Sequence, residues 1–479
     1  MLRRTKIVAT IGPATDDPAV LTEMVHEGLD VARFNTSHGT REDQMRRLKM
    51  LREIEVKVGR SIGTLLDLRG PKIRIESFQE GKVMLEEGKS FVLDTTLDKK
   101  AGTVDMVGIA YKNLPRDVVP GDTLLLNDGN IVLGVESVNP TRVTTRVKVG
   151  GELSDRKGLN RQGGGISAPA LSDQDRDDIK FAAEAGVDYI AVSFARTAND
   201  IEQARAIARK WGSKARILAK IERQEAVTNL AEIADASDAV MVARGDLGVE
   251  MGYAELTGLQ KTIIHESRIR NRVVITATQM MESMIHNPIP TRAEVSDVSN
   301  AVMDGTDAVM LSAETATGRY PIKAVKAMAQ VIEGAEKYVL RHEVLRHRVE
   351  GQFKSQEEAI AMAVMYTANH LKVRAIVALT ESGATPLWMS RIRSDIPIYA
   401  FTRHEFTRRR VTLYRGVYPV VYDVPEQKST EDLYRSIFSR LLELSLVERG
   451  DFVILTKGEL SGIEGGTNSM QILKVSLDP

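Results

Sequence analysis

Eight short apolar runs alternating with amphipathic stretches constrain this chain more than any other feature. The runs cover 6–12, 30–37, 61–68, 188–194, 216–221, 239–242, 272–278 and 307–311. Between nearly all of them lie stretches with i, i+3, i+4 apolar spacing, at 18–28, 41–59, 172–186, 200–211, 224–236, 254–270 and 291–305, and another follows at 321–339. That spacing predicts helices. Ser172, ahead of Asp173, Gln174 and Asp175, reads as an N-cap, and Gly186 and Gly305 read as stops. Eight strands alternating with helices is the count for a closed (β/α)8 barrel. The runs are almost continuously apolar, as a parallel sheet covered on both faces requires.

The alternation breaks once, between Gly70 and about Ser167. There the pattern turns to period two with turn punctuation, and Asp128-Gly129 is a hairpin signal. An all-β module is thus inserted after the third strand, bounded by Arg69-Gly70-Pro71 and Gly163-Gly164-Gly165 as hinges. Emerging from the carboxyl end of a barrel strand, it reads as a lid over the active face, with passive decoration the alternative. After Val339 the polar stretch 341–358 reads as a linker, and a smaller doubly wound α/β unit follows. The expected domains are 1–69 with 167–340 as catalytic barrel, 70–166 as β lid, and 341–479 as C-terminal α/β domain.

Chemistry concentrates at the strand ends. In 216–250, Lys220 and Glu222 interrupt an apolar run two residues apart, so both point to one face. The next run ends in Arg244-Gly245-Asp246, where glycine permits a tight turn into a helix. A structural ion pair of Lys220 with Glu222 or Asp246 is one reading. The other is a cation site beside an anionic substrate, with Glu222 and Asp246 as oxygen ligands for a hard divalent ion such as Mg²⁺. Arg33 and Arg74 reach toward the same mouth and suit phosphate, because guanidinium donates as a fork and keeps its charge. His38 and the hydroxyl of Thr278 are further candidates, and the amides of Arg244, Gly245 and Asp246 open a helical turn that suits a carboxylate. A small phosphorylated acid fits this set, and phosphoryl transfer needs mainly positioning and charge neutralisation. In the C-terminal unit, Thr380-Glu381-Ser382-Gly383-Ala384-Thr385 lies between a strand and a helix, where amides and hydroxyls can hold a phosphate; an ordinary connection is the alternative. The loop 458–467 could close over it.

Composition excludes several classes. Among 479 residues, 65 Lys and Arg balance 65 Asp and Glu, so global charge points to neither nucleic acid nor a membrane surface. Without cysteine there is no disulfide framework, thiolate metal site or cysteine nucleophile, consistent with a cytoplasmic setting. The N-terminal apolar run is interrupted by Thr10, Gly12 and Pro13 and lacks a signal-peptide core, and no run approaches membrane-helix length.

At these residues the sequence resembles the pyruvate kinase family. KIVATIGPAT, ARFNTSHG, LDLRGPKIR, ILAKIERQEAV, VMVARGDLGVE, TATQMMESM, PTRAEVSDVSNAVMDGTDAVMLSAETATGRYP and GGTNSM stand in that family's order across the whole chain. The resemblance implies phosphoryl transfer from phosphoenolpyruvate to ADP, giving ATP and pyruvate. It implies that Glu222 and Asp246 hold one Mg²⁺ while a second arrives with the nucleotide, that Lys220 neutralises the moving phosphoryl group and forming enolate, and that Arg33 grips that group. Ala243, Arg244, Gly245, Asp246 and Thr278 would hold the substrate carboxylate, with Thr278 near the proton-delivery route. Asn35, His38, Arg74 and Lys157 match nucleotide- or phosphoryl-contacting positions. A homotetramer is also implied.

Two departures from the family pattern stand out. Relatives that bind an activating K⁺ use Asn35, Ser37, Asp67 and a carbonyl at position 68, with a Glu at position 72; here those last positions hold Leu68 and Lys72. A fixed ammonium at 72 argues for activity without K⁺. Ala384 replaces a basic residue frequent in relatives that answer to fructose bisphosphate, which favours a sugar monophosphate or AMP as effector. Two other readings of the residues compete: a Mg²⁺-enolate lyase acting on 2-oxo acids, which has no use for a nucleotide lid, and a metabolite sensor that retains the site without turnover.

Overall fold

The computed structural model describes residues 2–342, 353, 355–423, 429–458 and 466–476. The apolar runs form strands β1 (Lys6–Thr10), β2 (Val31–Asn35), β3 (Gly63–Asp67), β4 (Tyr189–Val192), β5 (Arg216–Ile221), β6 (Ala239–Ala243), β7 (Val273–Ala277) and β8 (Ala308–Leu311). They close into one barrel in the order β1-β8-β7-β6-β5-β4-β3-β2, and every pairing is parallel. Each strand is buried on both faces because its interior residues meet across the barrel while the others meet the helices.

The helices begin and end where local chemistry says they should. Thr40, Ser172 and Thr291 cap theirs, each joined reciprocally to the acid three residues on, and Gly59, Gly186 and Gly305 end the same helices in the left-handed conformation. The stretch 224–236 is two helices rather than one, Gln224–Thr228 and Leu230–Ala236. They part at Asn229, whose side chain donates to the Arg196 carbonyl.

Between β3 and β4 the chain leaves the barrel and builds a six-stranded sheet and a two-stranded one. The Asp128-Gly129 turn connects strands Thr123–Leu126 and Ile131–Val138, and Asn127, Asp128 and Gly129 all take positive φ. The inserted part has its own core, including Phe91, Leu124 and Leu133.

The C-terminal sheet has the order β11-β10-β9-β12-β13, from β9 (Ala375–Leu379), β10 (Ile398–Thr402), β11 (Val417–Val421), β12 (Phe452–Gly458) and β13 (Thr467–Lys474). Four strands are parallel, and β13 adds itself antiparallel to β12. Neither β13 nor the helix Glu405–Val411 is marked by a clear apolar run or stripe in the sequence. This domain packs against the amino-terminal end of the barrel, where Lys6 Nζ donates to the Val417 carbonyl and the Tyr189 hydroxyl to the Arg410 carbonyl. A single apolar cluster runs from barrel-interior Val8, Leu65 and Met241 to Ile376 and Met389. The carboxyl ends of the strands are thereby left free for the inserted sheets. No described helix is long and apolar enough to cross a membrane.

Candidate active site

The parallel register of β5 and β6 pairs Lys220 with Met241 and Ile221 with Val242, so Lys220, Glu222 and Asp246 rise at adjoining strand ends. Lys220 Nζ lies 2.7 Å from Glu222 Oε1, 2.7 Å from Ser193 Oγ and 3.3 Å from Asp67 Oδ1. Asp67, almost fully buried, faces a second cation through its other oxygen. Arg33 Nη2 is 2.7 Å from Asp67 Oδ2, and Arg33 Nη1 donates to Thr10 Oγ1 at 2.8 Å. Three barrel strands thus fix two cations around one carboxylate.

Burial works against the Lys220 ammonium, but Asp67 and Glu222 outweigh it and raise its pKa above the usual lysine value. The side chain is a permanent positive charge. Asp67 is likewise buried at an energetic cost that Lys220 and Arg33 more than cancel, which holds it below the carboxylate range. Glu222 goes the other way: burial, reinforced by the negative charge of Asp246, pushes its carboxyl up despite Lys220.

That rise marks a place short of positive charge, and Lys72 answers part of it. Its Nζ lies 3.0 Å from Asp246 Oδ1 and 3.7 Å from Asp128 Oδ1, and those two carboxylates raise its pKa against burial. The sequence reading groups Lys72 with Asn35, Ser37, Asp67 and Leu68. In the structure its ion pairs are with Asp246 and Asp128, while Asp67 faces Arg33 and Lys220. Leu68 presents its carbonyl to the Ser193 hydroxyl at 2.7 Å, and Asn35 Oδ1 accepts from the Ser37 amide.

The donor set suits a hard divalent cation. Among the described residues no three acidic or histidine side chains gather as a metal group. The protein would therefore contribute the Glu222 and Asp246 carboxylates and leave the other positions to water or substrate oxygens, as Mg²⁺ prefers. Lys72 on Asp246 shows that this carboxylate already draws a cation. Glu222 is aimed from its far side, where Oε2 accepts the Phe194 amide at 2.8 Å.

On the other flank, Thr278 (φ +67°) and Gln279 (φ +53°) hold backbone conformations that side chains rarely adopt. The Arg244 guanidinium keeps them there. It donates to the Thr278 carbonyl at 2.7 Å and the Ala277 carbonyl at 3.2 Å, and is anchored by Asp297 at 2.7 Å. Its side chain therefore serves this loop, while its backbone begins the helix Arg244–Met251 directly after buried Ala243. Gly245 N donates to Thr278 Oγ1 at 2.8 Å, which seats the hydroxyl over the helix start.

Of the candidates for nucleotide contact, Arg74 and Lys157 lie on neighbouring segments of the insertion. Arg74 bridges to Gly158, and Ile75 N donates to the Lys157 carbonyl. Arg74 and His38 are exposed, and the chain at Asn35 and His38 is held by Gln44, which donates to both carbonyls. Far below, the 380–385 loop is fastened by Gly383 N to Thr380 Oγ1 and by Thr385 Oγ1 to Thr467 Oγ1. Glu381 is bonded to His404 and lies 3.7 Å from Arg403, Arg410 donates to the Ser382 carbonyl, and Ala384 begins the helix Ala384–Ser390. Most of the stretch 458–467 lies outside the described residues.

Three contributors escape a reading of the sequence: Thr10, Ser193 and Phe194. The last two end an apolar run in which the polar Ser193 is the only sign the sequence carries, and the φ of +55° at Phe194 is visible only in the structure.

A family model for the barrel domain of pyruvate kinase matches residues 2–325, and one for the alpha/beta domain of pyruvate kinase matches residues 358–473. The chain belongs to the pyruvate kinase family. It is 53% identical over 478 residues to pyruvate kinase II of Salmonella typhimurium, covering 99% of each chain. It is 51% identical to the pyruvate kinase of Haemophilus influenzae, over 95% of this chain and 96% of that one. To the pyruvate kinase of Geobacillus stearothermophilus it is 40% identical, over 99% of this chain and 81% of that one. The chain is therefore a phosphotransferase of a family that uses a divalent metal.

Proposed function

We propose that this chain transfers the phosphoryl group of phosphoenolpyruvate to ADP, giving ATP and pyruvate, with Mg²⁺ at Glu222 and Asp246. The observation that carries it is the arrangement around buried Asp67, which is paired with both Lys220 and Arg33, beside Glu222, whose carboxyl burial pushes up, and Asp246. When bound at Glu222 and Asp246, Mg²⁺ would supply charge neutralisation for the anionic substrate, and a second ion would accompany the nucleotide. Arg33, braced by Asp67 and Thr10, presents its remaining donors to the phosphoryl group. Lys220 offsets the negative charge that grows on the group and on the enolate, with no reorganisation as the reaction proceeds. The helix start at Ala243, Arg244, Gly245 and Asp246 receives the carboxylate, and Thr278 stands at the proton-delivery side. Asn35, His38, Arg74 and Lys157 meet the nucleotide.

The same reading assigns 1–69 with 167–340 to catalysis, 70–166 to a lid and 341–479 to effector binding. A lyase acting on 2-oxo acids would have no use for Arg74 and Lys157 on an inserted sheet. A coupled assay with phosphoenolpyruvate and ADP decides between them, and Lys220→Met decides the site: turnover should vanish while phosphoenolpyruvate still binds. Unchanged turnover in that variant rejects the assignment.

Three finer elements belong to this proposal. Activity should not require K⁺, because Lys72 places a permanent ammonium on Asp246 within the site. A many-fold rise in rate when KCl is added to a Tris-only buffer refutes it. Activation should come from a sugar monophosphate or AMP at 380–385, where Arg403 and His404 stand beside the loop; activation by fructose 1,6-bisphosphate alone overturns that. The working form should be a cytoplasmic homotetramer. The open edge of β13, with Ile472 45% exposed, offers a surface for assembly, and light scattering measures the mass.

A further inference from the structure

The return connection from the inserted sheets to the barrel runs through Gly163, Gly164 and Gly165, all at positive φ. Side-chain-free backbone in that conformation has little intrinsic preference for one path. Yet the path is fixed at three successive points by residues immediately beyond the candidate metal ligands. Gly163 N donates to the Glu250 carbonyl at 3.2 Å, Gly165 N to Glu225 Oε1 at 2.7 Å, and the Ile166 carbonyl accepts from Arg223 Nη2 at 2.9 Å. Arg223 follows Glu222 in sequence and is only 4% exposed. Its Nε lies 3.5 Å from Glu225 Oε2 and 3.7 Å from Glu250 Oε1, so one buried cation sits between the two acids, with no hydrogen bond from Nε to either. Glu250 in turn accepts the Gln224 amide at 3.0 Å.

The outgoing connection converges on the same spot. Pro71, Lys72 and Ile73 line a small cavity with Ile166, Phe194 and Arg223. Phe194 is the residue whose amide holds Glu222, and a Cβ on Gly70 would come within 2.7 Å of its ring carbon Cδ2. Both arms of the insertion are therefore anchored on the segments that carry the candidate metal ligands.

We propose that Arg223 and Glu225 are positioning residues that latch the inserted sheet at one angle over the barrel mouth, and so set the placement of the nucleotide-contacting side chains it carries. Neither touches the reacting groups. This rests on the reading that Arg74 and Lys157 meet the nucleotide while phosphoenolpyruvate binds to the barrel's own strand ends. Loss of the latch should then be felt by the nucleotide and not by phosphoenolpyruvate. Misplacement by an ångström or so weakens such contacts by on the order of tenfold or more.

The test compares full-length Glu225→Ala, Arg223→Ala and their double variant with the parent. Hydrogen exchange across 160–168 in the metal-free, ligand-free protein should quicken in all three. The KM for ADP should rise about tenfold while that for phosphoenolpyruvate moves less than about twofold, and the double variant should cost little more than either single change because both break one latch. Arg223→Lys, which keeps the charge but loses the fork, should recover part of the effect. Unchanged exchange in folded variants overturns the proposal, as do equal rises in both KM values. If Arg223→Ala does not fold, Glu225→Ala carries the same comparison alone. Should the parent itself fail to turn over phosphoenolpyruvate and ADP, the functional reading falls, and the exchange data still decide whether the latch exists.

Discussion

Single side chains at this site are held by opposed forces, and that makes their replacement informative. Lys220 is the counter-ion of Asp67 and Glu222 at once. Removing one partner of a buried pair strands the other, at a typical cost of about 3–5 kcal/mol. Here Arg33 still serves Asp67, and Glu222 already has its carboxyl pushed up, so it can neutralise by taking a proton. Lys220→Met should therefore unfold earlier than the parent yet stay folded at 25 °C, with turnover down by at least about a thousandfold, as expected when about 4 kcal/mol of transition-state stabilisation is lost. Circular dichroism read beside the coupled assay checks both, and an inactive variant that is also unfolded leaves the stability argument wrong. Glu250 offers a second test. Burial drives its carboxyl up to about 7, against an unfolded value of about 4.3. Between those values the folded protein binds the extra proton, so this group's contribution to stability shrinks as pH rises from about 4.3 to 7. Glu250→Gln should flatten that part of the stability profile. A profile with the parent's slope in that variant contradicts the assignment.

At the scale of elements, the loop after β7 shows where a sequence stops being legible. Strands β1 to β8 announce themselves because parallel strands covered on both faces must be apolar throughout, and Gly59, Gly186 and Gly305 mark helix ends because the left-handed cap favours glycine. Lys220 and Glu222 are equally plain, since charge inside an apolar strand needs a reason. Nothing in Thr278 or Gln279 predicts positive φ, because that conformation is imposed from outside by Arg244. The helix Glu405–Val411 is similarly obscure, with Arg408, Arg409 and Arg410 in sequence masking any apolar stripe, and β13 is a strand only because β12 offers an edge. Lys72 is legible as an unusual charge, but not as the partner of Asp246, because that pairing joins residues 174 apart. The clamp itself is testable. Arg244→Met removes the donors that hold Thr278 in place, so the loop should relax toward ordinary backbone angles and lift the hydroxyl from Gly245. Turnover should drop on the order of a hundredfold, as for other losses of near-attack geometry, with the barrel still folded. A variant with a crystal structure unchanged at Thr278 and near-parental turnover would show that the clamp is dispensable.

Across the whole molecule, the barrel and the C-terminal sheet are joined by one apolar cluster with charged groups buried in the seam. Arg391 is paired with Asp307 just before β8, and Glu336 accepts both the Arg4 and Thr5 amides. Lys6 lies buried at the foot of β1, 2% accessible, with Nζ donating to the Val417 carbonyl of β11 and set 4.3 Å from the Tyr418 ring centre. Burial draws its pKa down to about 8, although Asp30 pulls the other way. Unfolded, the same amine titrates near 10.4. Below pH 8 both states hold the proton and the folded state bears the full cost of burying it, about 3 kcal/mol on an order-of-magnitude scale. Between about 8 and 10.4 the unfolded state holds more protons, so stability from this group rises with pH and the cost is gone above that window. Lys6→Met keeps the apolar stem and removes the charge. Its melting temperature relative to the parent should be most favourable at pH 7 and should decline steadily toward pH 10.5, while a difference that stays constant over that range would mean the seam holds Lys6 charged at no cost. The variant also asks whether the seam links the proposed effector loop at 380–385 to the candidate active site. Tyr189 lies on β4 and donates to Arg410, which donates in turn to the Ser382 carbonyl, so a continuous path of contacts runs from the 380–385 loop into the barrel wall. If the proposed activation holds and the seam that contains both this path and Lys6 has two arrangements, easing the cost at Lys6 will shift the concentration of activating phosphate compound needed for half-activation; if it has one, only the melting temperature will move.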